Sequence, residues 1–216
     1  MDTRKIGEDL HEHVPANWYY DSLKVDPFQR FWHKSRFREI KKVASDAISV
    51  LDVGSADGVF TNVILKATNA KKIIGLEVVK SSVNWAKKHW KNNKKMRFVV
   101  GDAHNLKFKT STFDAVYCLE VLEHVADPVK VLLEFKRVMK KGGFGVFLVP
   151  SDNNLFKIIW WLWLHFYPRG WVWRDTHIQT YRGNYLSVAC KNAGFKIEVD
   201  KKFNLGMLHL VKVRKI

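Results

Sequence analysis

The run Val50-Leu51-Asp52-Val53-Gly54-Ser55-Ala56-Asp57-Gly58 constrains this chain more than any other stretch. It reads as a short buried strand that turns, through an acidic and glycine-bearing loop, into a helix beginning near Val59. Gly54 and Gly58 let backbone approach a ligand where a side chain would collide. The amides at the helix start are expected to stand open to an electron-rich ligand group. Asp52 and Asp57 would repel a phosphate at the same place. Such a turn suits a cationic or polyol-bearing nucleotide.

Around it the chain alternates. Strands are expected at residues 48–53, 72–77, 96–100, 113–118 and 144–149, with helices at 59–68, 81–92 and 128–140. Apolar runs separated by helices of this length predict parallel strands joined by crossovers, with ligands at the carboxyl ends of the strands. Asp52, Glu77, Asp102 and Glu120 then share one rim. Ahead of the first strand lies an expected helical arm over about residues 1–46. Pro27 starts its last helix, in which Phe28, Phe31, Trp32, Ile40 and Val43 recur at helical spacing. Arg30, Lys34, Arg36, Arg38, Lys41 and Lys42 are expected on its exposed side. Lys141-Gly142-Gly143 should close one helix and turn into the fifth strand. A tryptophan-rich insert fills about residues 151–176, followed by a helix at 184–193 and strands near 195–200 and 206–214. The 216 residues fit a single domain.

A formal charge of +16 favours an anionic partner, whether RNA, a membrane surface or an acidic substrate. Residues 1–9 are too polar for a signal peptide. Two cysteines, on different expected elements, make no disulfide framework, so a reducing cytoplasm is the expectation.

Five segments, in order, resemble the class I S-adenosylmethionine-dependent methyltransferases over about residues 40–200. Leu51–Gly58 is similar to the glycine-rich first motif, and Ile74-Gly75-Leu76-Glu77 to the second strand ending in an acid. Gly101-Asp102-Ala103 resembles the third-strand motif. Phe113-Asp114-Ala115-Val116 with Leu122-Glu123-His124-Val125 resembles the fourth, and Arg137–Gly143 the turn before the fifth strand. The likeness is to the type 11 group, near the ubiquinone-pathway O-methyltransferases. It implies a Rossmann-like three-layer α/β/α sandwich on a mostly parallel seven-stranded sheet, its last strand antiparallel. Ala56 departs from the pattern, standing where the family usually has a second glycine.

A carboxylate at Glu77 can accept both ribose hydroxyls of a nucleotide. A nicotinamide dehydrogenase uses that geometry too, but Gly54 and Gly58 lack the spacing of a pyrophosphate cradle. The resemblance assigns Asp102 and Ala103 to the adenine, Leu119 and Glu120 to the methionine side, and Asp52 with Gly54 to the amino group. Ser55, Ala56 and Gly58 complete the first motif.

Glu120, Glu123 and His124 form E-x-x-E-H. On a helix, residues three and four apart share a face, so the three would converge. With the distant His177 they make a candidate set for Mg²⁺. Ubiquinone-pathway O-methyltransferases and small-RNA 3′-end methyltransferases have a comparable cluster. His124, with Glu120 beside it, is equally a candidate general base for a hydroxyl acceptor.

Five of the nine tryptophans fall between Trp160 and Trp173. The run is too short to span a bilayer. Trp160, Trp161 and Trp163 cannot all face one side of a helix, so some rings must face a ligand, lipid, solvent or another subunit. The insert is expected to cover a lipophilic acceptor, to dock on an anionic and membrane-associated surface, or to pack as an extra core helix. A second basic, aromatic stretch, from Trp85 to Arg97, could stack and bind RNA, or be a solvated helix face. The expected activity is methyl transfer to an oxygen or nitrogen of a small lipophilic acceptor, from a cytoplasmic enzyme peripheral to the membrane. The alternatives are an RNA methyltransferase and a non-catalytic cofactor-binding scaffold.

Overall fold

A computed structural model describes residues 2–167, 170–173 and 176–216; residues 168–169 and 174–175 of the tryptophan-rich insert lie outside the described set. Three helices come first: α1 (Thr3–His11), α2 (Trp18–Val25) and α3 (Pro27–Val43). The arm is therefore helical along most of its length. Asp26 caps α3 by accepting from the Gln29 amide at 2.9 Å, and Pro27 occupies the first turn, where its missing N–H costs nothing.

Strands and helices then alternate: β1 (Ser49–Val53), α4 (Val59–Ala67), β2 (Lys72–Glu77), α5 (Lys80–His89), β3 (Met96–Val100), β4 (Phe113–Leu119), α6 (Pro128–Val138) and β5 (Met139–Pro150). The chain ends with α7 (Asn154–Phe166), α8 (Tyr185–Asn192), β6 (Lys196–Phe203) and β7 (Leu208–Arg214). The seven strands form one sheet in the order β3-β2-β1-β4-β5-β7-β6. Only β7 runs antiparallel to its neighbours, inserted between β5 and β6. This is the Rossmann-like three-layer sandwich expected from the sequence.

Alternate strand residues feed two layers. Val50, Ile73, Ala115, Tyr117 and Leu148 pack under α3 and α4 against Ile40, Ile64 and Leu65. Leu51, Val53, Val116, Cys118 and Phe147 pack on the other side against Val131, Leu132 and Phe135 of α6 and Leu186 of α8. Cys118 and Cys190 are buried free thiols. One boundary differs from expectation. Helix α6 stops at Val138 and β5 starts at once, so Lys141-Gly142-Gly143 lies inside the strand, where the β4–β5 register shifts.

Phe135 is fully buried between the sheet and α6, its ring 5.5 Å from that of Phe147. Phe135→Ala should cost about 3–5 kcal/mol through lost transfer energy and the cavity left behind. Chemical denaturation followed by circular dichroism would measure it.

Candidate active site

The glycine-rich turn is held by the end of β2. The Leu76 carbonyl accepts from the amides of Gly54 (2.7 Å) and Ser55 (3.0 Å). Glu77 accepts from Ala56 at 3.0 Å, and from Val78 and Val79 at 2.7 and 3.0 Å. The Gly58 amide donates to Ser55 and that of Val59 to Asp57. These five turn amides are thus satisfied internally, among them those of Gly58 and Val59 at the helix start, expected from the sequence to stand open to a ligand. Gly54 has φ +76° and a Cβ there would lie 2.1 Å from Val121 Cγ2, so glycine is required. Ala56 takes φ 43°, a strained angle for alanine.

A cavity opens at the carboxyl ends of β1, β2 and β4, bordered by Gly54, Ala56, Glu77, Asp102, Ala103 and Glu120. Among the described residues no lysine or arginine lines it, although the chain is strongly basic. The cavity therefore suits a ligand that is cationic or rich in hydroxyls, as a sulfonium nucleoside is. A carboxylate has about four acceptor positions, so three amides leave Glu77 able to accept from a ligand.

Four expected contacts fall elsewhere. Asp52 turns under α4, where its carboxylate accepts from the Thr61 hydroxyl at 2.6 Å. Ser55 is buried against the sheet with its hydroxyl unpartnered. Leu119 packs on the α3–α4 layer. Gly58 caps α4 with φ +81°, where a Cβ would strike Phe98 and Trp90. Period-two alternation explains the first and third, since each points into the layer opposite to that of its sequence neighbour.

The N-terminal arm supplies what sequence motifs did not disclose. Thr3, His11, Trp18 and Tyr19 line the same cavity. The Thr3 hydroxyl donates to Asp102 at 2.6 Å, and His104 donates to the other oxygen from its amide and ring. Burial raises the Asp102 pKa, but the bonds from Thr3 and His104 outweigh it and leave the carboxyl below its usual range. The Tyr20 amide donates to Asp57 at 2.7 Å, fastening the arm to the glycine turn. Thr3 and Tyr20 belong to no motif, and no local pattern pairs them with Asp102 and Asp57.

The E-x-x-E-H residues do not converge on one helical face. Glu120 takes φ 56° and a short 3-10 turn follows at Leu122–His124. Its carboxylate pairs with the buried Arg36 of α3, which also bonds His33. The expectation that Arg36 sits on the exposed side of α3 is therefore overturned. Glu120 is withdrawn from the metal set as well. Glu123, His124 and His177 do come together, with ligand atoms within 4.8 Å of one another, and Glu123 Oε2 is buried without a partner. Two imidazoles and one carboxylate suit a borderline ion better than Mg²⁺, which prefers oxygen.

His124 Nδ1 lies 2.7 Å from the Thr176 carbonyl, which can only accept, so the proton sits on Nδ1 and Nε2 keeps its lone pair. Burial, with His11 and His177 beside it, pushes its pKa well below the usual value, so the ring is neutral at pH 7. Burial lowers His177 to about 4 and raises Glu123 to about 8.

A second cavity meets the first at Trp18, Tyr19, Glu120, His124 and Trp173. Phe28 and Trp32 of α3 and Phe156, Ile159, Trp160 and Trp163 of α7 wall it. Trp160 stacks on His177 with centroids 5.0 Å apart. In the other basic, aromatic stretch, Trp90 donates to the Asp57 carbonyl at 2.8 Å, and Trp85 and Tyr20 pack on His89.

Residues 51–147 match the family described as Methyltransferase domain. The chain is 32% identical over 141 residues to the demethylmenaquinone methyltransferase of Staphylococcus haemolyticus, covering 63% of this chain and 58% of that one. It is 32% identical over 108 residues to the ubiquinone biosynthesis O-methyltransferase of Aliivibrio fischeri, covering 49% and 45%. It thus spans about half the length of these curated relatives. Among solved structures it is similar to the cyclase SpnF, with TM-score 0.78 and 14% identity over 99% of this chain and 96% of that one. At that identity the likeness concerns the fold alone.

Burial, countered by the Thr61 bond and reinforced by the Glu77 charge, raises the Asp52 pKa from 3.8 to about 7. The folded chain then keeps a proton that the unfolded chain has released, so this group makes stability fall as pH rises from about 4 to about 7. Asp52→Asn should flatten that fall and melt above wild type at pH 8, with little difference at pH 4. Thermal melts at the two pH values would check it.

Proposed function

We propose that this chain, whose residues 51–147 match the family described as Methyltransferase domain, is a class I S-adenosylmethionine-dependent enzyme that transfers a methyl group to an oxygen or nitrogen of a small lipophilic acceptor. The observation that carries the reading is the pair of cavities meeting at Glu120 and His124, one rimmed by acids and the other walled by aromatic rings. S-adenosylmethionine, when bound, supplies an electrophilic methyl carbon on a positively charged sulfur.

Glu77 and Asp102 hold the nucleoside in the acidic cavity, Glu77 from the end of β2 and Asp102 from beyond the end of β3, each with an acceptor position left beside its three donors. Trp160, Trp163 and Phe156 seat an apolar acceptor and exclude water. Holding the acceptor atom within about 3–3.5 Å of the methyl carbon supplies much of the rate. His124 Nε2 takes the acceptor's proton while the Thr176 carbonyl fixes the ring's tautomer. The quinone-methylating relatives also favour an aromatic, lipophilic acceptor.

A second reading adds a divalent ion at Glu123, His124 and His177, orienting an acceptor hydroxyl. Turnover unchanged by a chelator would remove it.

Methyl-tritiated S-adenosylmethionine, added with the protein to an extract of the source cells, should place label in the organic phase. Label in RNA instead, or in no fraction, would favour the RNA or the scaffold alternative. Glu77→Ala and Asp102→Ala should each weaken S-adenosylmethionine binding by calorimetry, and unchanged affinity in both would sink the site. His124→Ala should lower kcat by about a hundredfold while sparing cofactor affinity. A fully active variant would exclude His124 as the base.

A further inference from the structure

Helix α7 is apolar on both sides. Phe156, Trp160 and Trp163 look into the aromatic cavity. Its outer face carries Leu155, Ile158, Trp161, Leu162 and Phe166, all exposed, with Phe166 at 72% and Ile158 at 59%. The start of α3 continues this face: Phe28 lines the cavity, is itself 46% exposed, and its ring lies 6.4 Å from Tyr167 at the end of α7. One turn on, Phe31 is 67% exposed, and Lys34 and Arg38 follow it at helical spacing on the same stripe. Lys157 is exposed on α7. The only acid in α3 or α7 is Glu39, which is buried and paired with Lys42 and Lys201 and, at 3.8 Å, with the exposed Arg38.

We infer that the outer face of α7 and the start of α3 dock on an anionic lipid surface, setting the mouth of the aromatic cavity against the bilayer. Aliphatic and tryptophan side chains beside lysine and arginine match the boundary between acyl chains and anionic headgroups. RNA would gain nothing from Leu155, Ile158 and Leu162. A second copy of the chain would bring Lys34, Arg38 and Lys157 against their own like charges. At 13 residues, about 20 Å long, α7 lies on a bilayer and does not cross it, and among the described residues no helix is long and apolar enough to span one. Docking does not require methyl transfer; only delivery of the acceptor by this route rests on the function proposed above.

The test is sedimentation of the whole protein with phosphatidylcholine vesicles, with and without phosphatidylglycerol, at low and high salt. Wild type should pellet with the anionic vesicles and be released by salt. Ile158→Glu with Trp161→Glu should abolish pelleting, and Lys34→Glu with Arg38→Glu should weaken it about tenfold. Both pairs are exposed, so thermal melts and S-adenosylmethionine affinity should match wild type. The inference is overturned if anionic vesicles do not pellet the protein or if pelleting survives both variants. A dimer that the outer-face variant dissolves, or salt-sensitive RNA binding that the charge variant removes, in the absence of vesicle binding, would also overturn it. Vesicle binding lost in the variants while no acceptor is ever methylated would uphold the docking and fail the methyltransfer reading.

Discussion

The structure hangs on the junction between the ends of β1 and β2. One carbonyl, at Leu76, accepts two amides of the glycine-rich turn, and one carboxylate, at Glu77, accepts a third together with two of its own loop. A buried carboxylate tied by three amides is fixed in place, because leaving any of those donors unpaired would cost about 1–3 kcal/mol. That junction sets the acidic rim, and it explains why the turn does not present a cradle for phosphate. The strain at Ala56 is held by the same bond to Glu77. A site built this way uses charge and shape more than free amides.

The arm is the second structural element of the site. Thr3 on Asp102, Tyr20 on Asp57 and Arg36 on Glu120 each join an N-terminal helix to an acid of the Rossmann-like sheet. Two of these acids stand where the family resemblance puts cofactor contacts. The arm thus lies against the acids that border the cavity, with Thr3 on one oxygen of Asp102 and His104 on the other. His11, from the same arm, packs edge-on against His124 and helps keep that ring neutral.

The tryptophan-rich insert presents apolar rings on two faces of α7. Helical periodicity divides its rings, Trp160 and Trp163 inward and Trp161 outward. The inward rings make the cavity beside the acidic one apolar; the outward ones leave an apolar face unpaired by any described element. One short helix thus shapes both what the second cavity admits and what the surface meets.

By itself the sequence determined the layered fold, the strand order's parallel core and the glycine turn, because period-two and helical apolar patterns are local and survive without tertiary information. It also determined which acids end their strands: Glu77 and Asp102 border the cavity as their positions foretold. Tertiary structure decided the rest. Asp52 and Leu119 face the layer under α3 and α4 because alternation along a strand, not proximity to the motif, sets direction. Glu120 left the E-x-x-E-H cluster because a left-handed backbone and a buried arginine 84 positions away claimed it. The arm's share of the site was illegible for the same reason: Thr3, Tyr20 and Arg36 act through contacts between residues distant in sequence, and no local pattern records which acid a distant donor will meet.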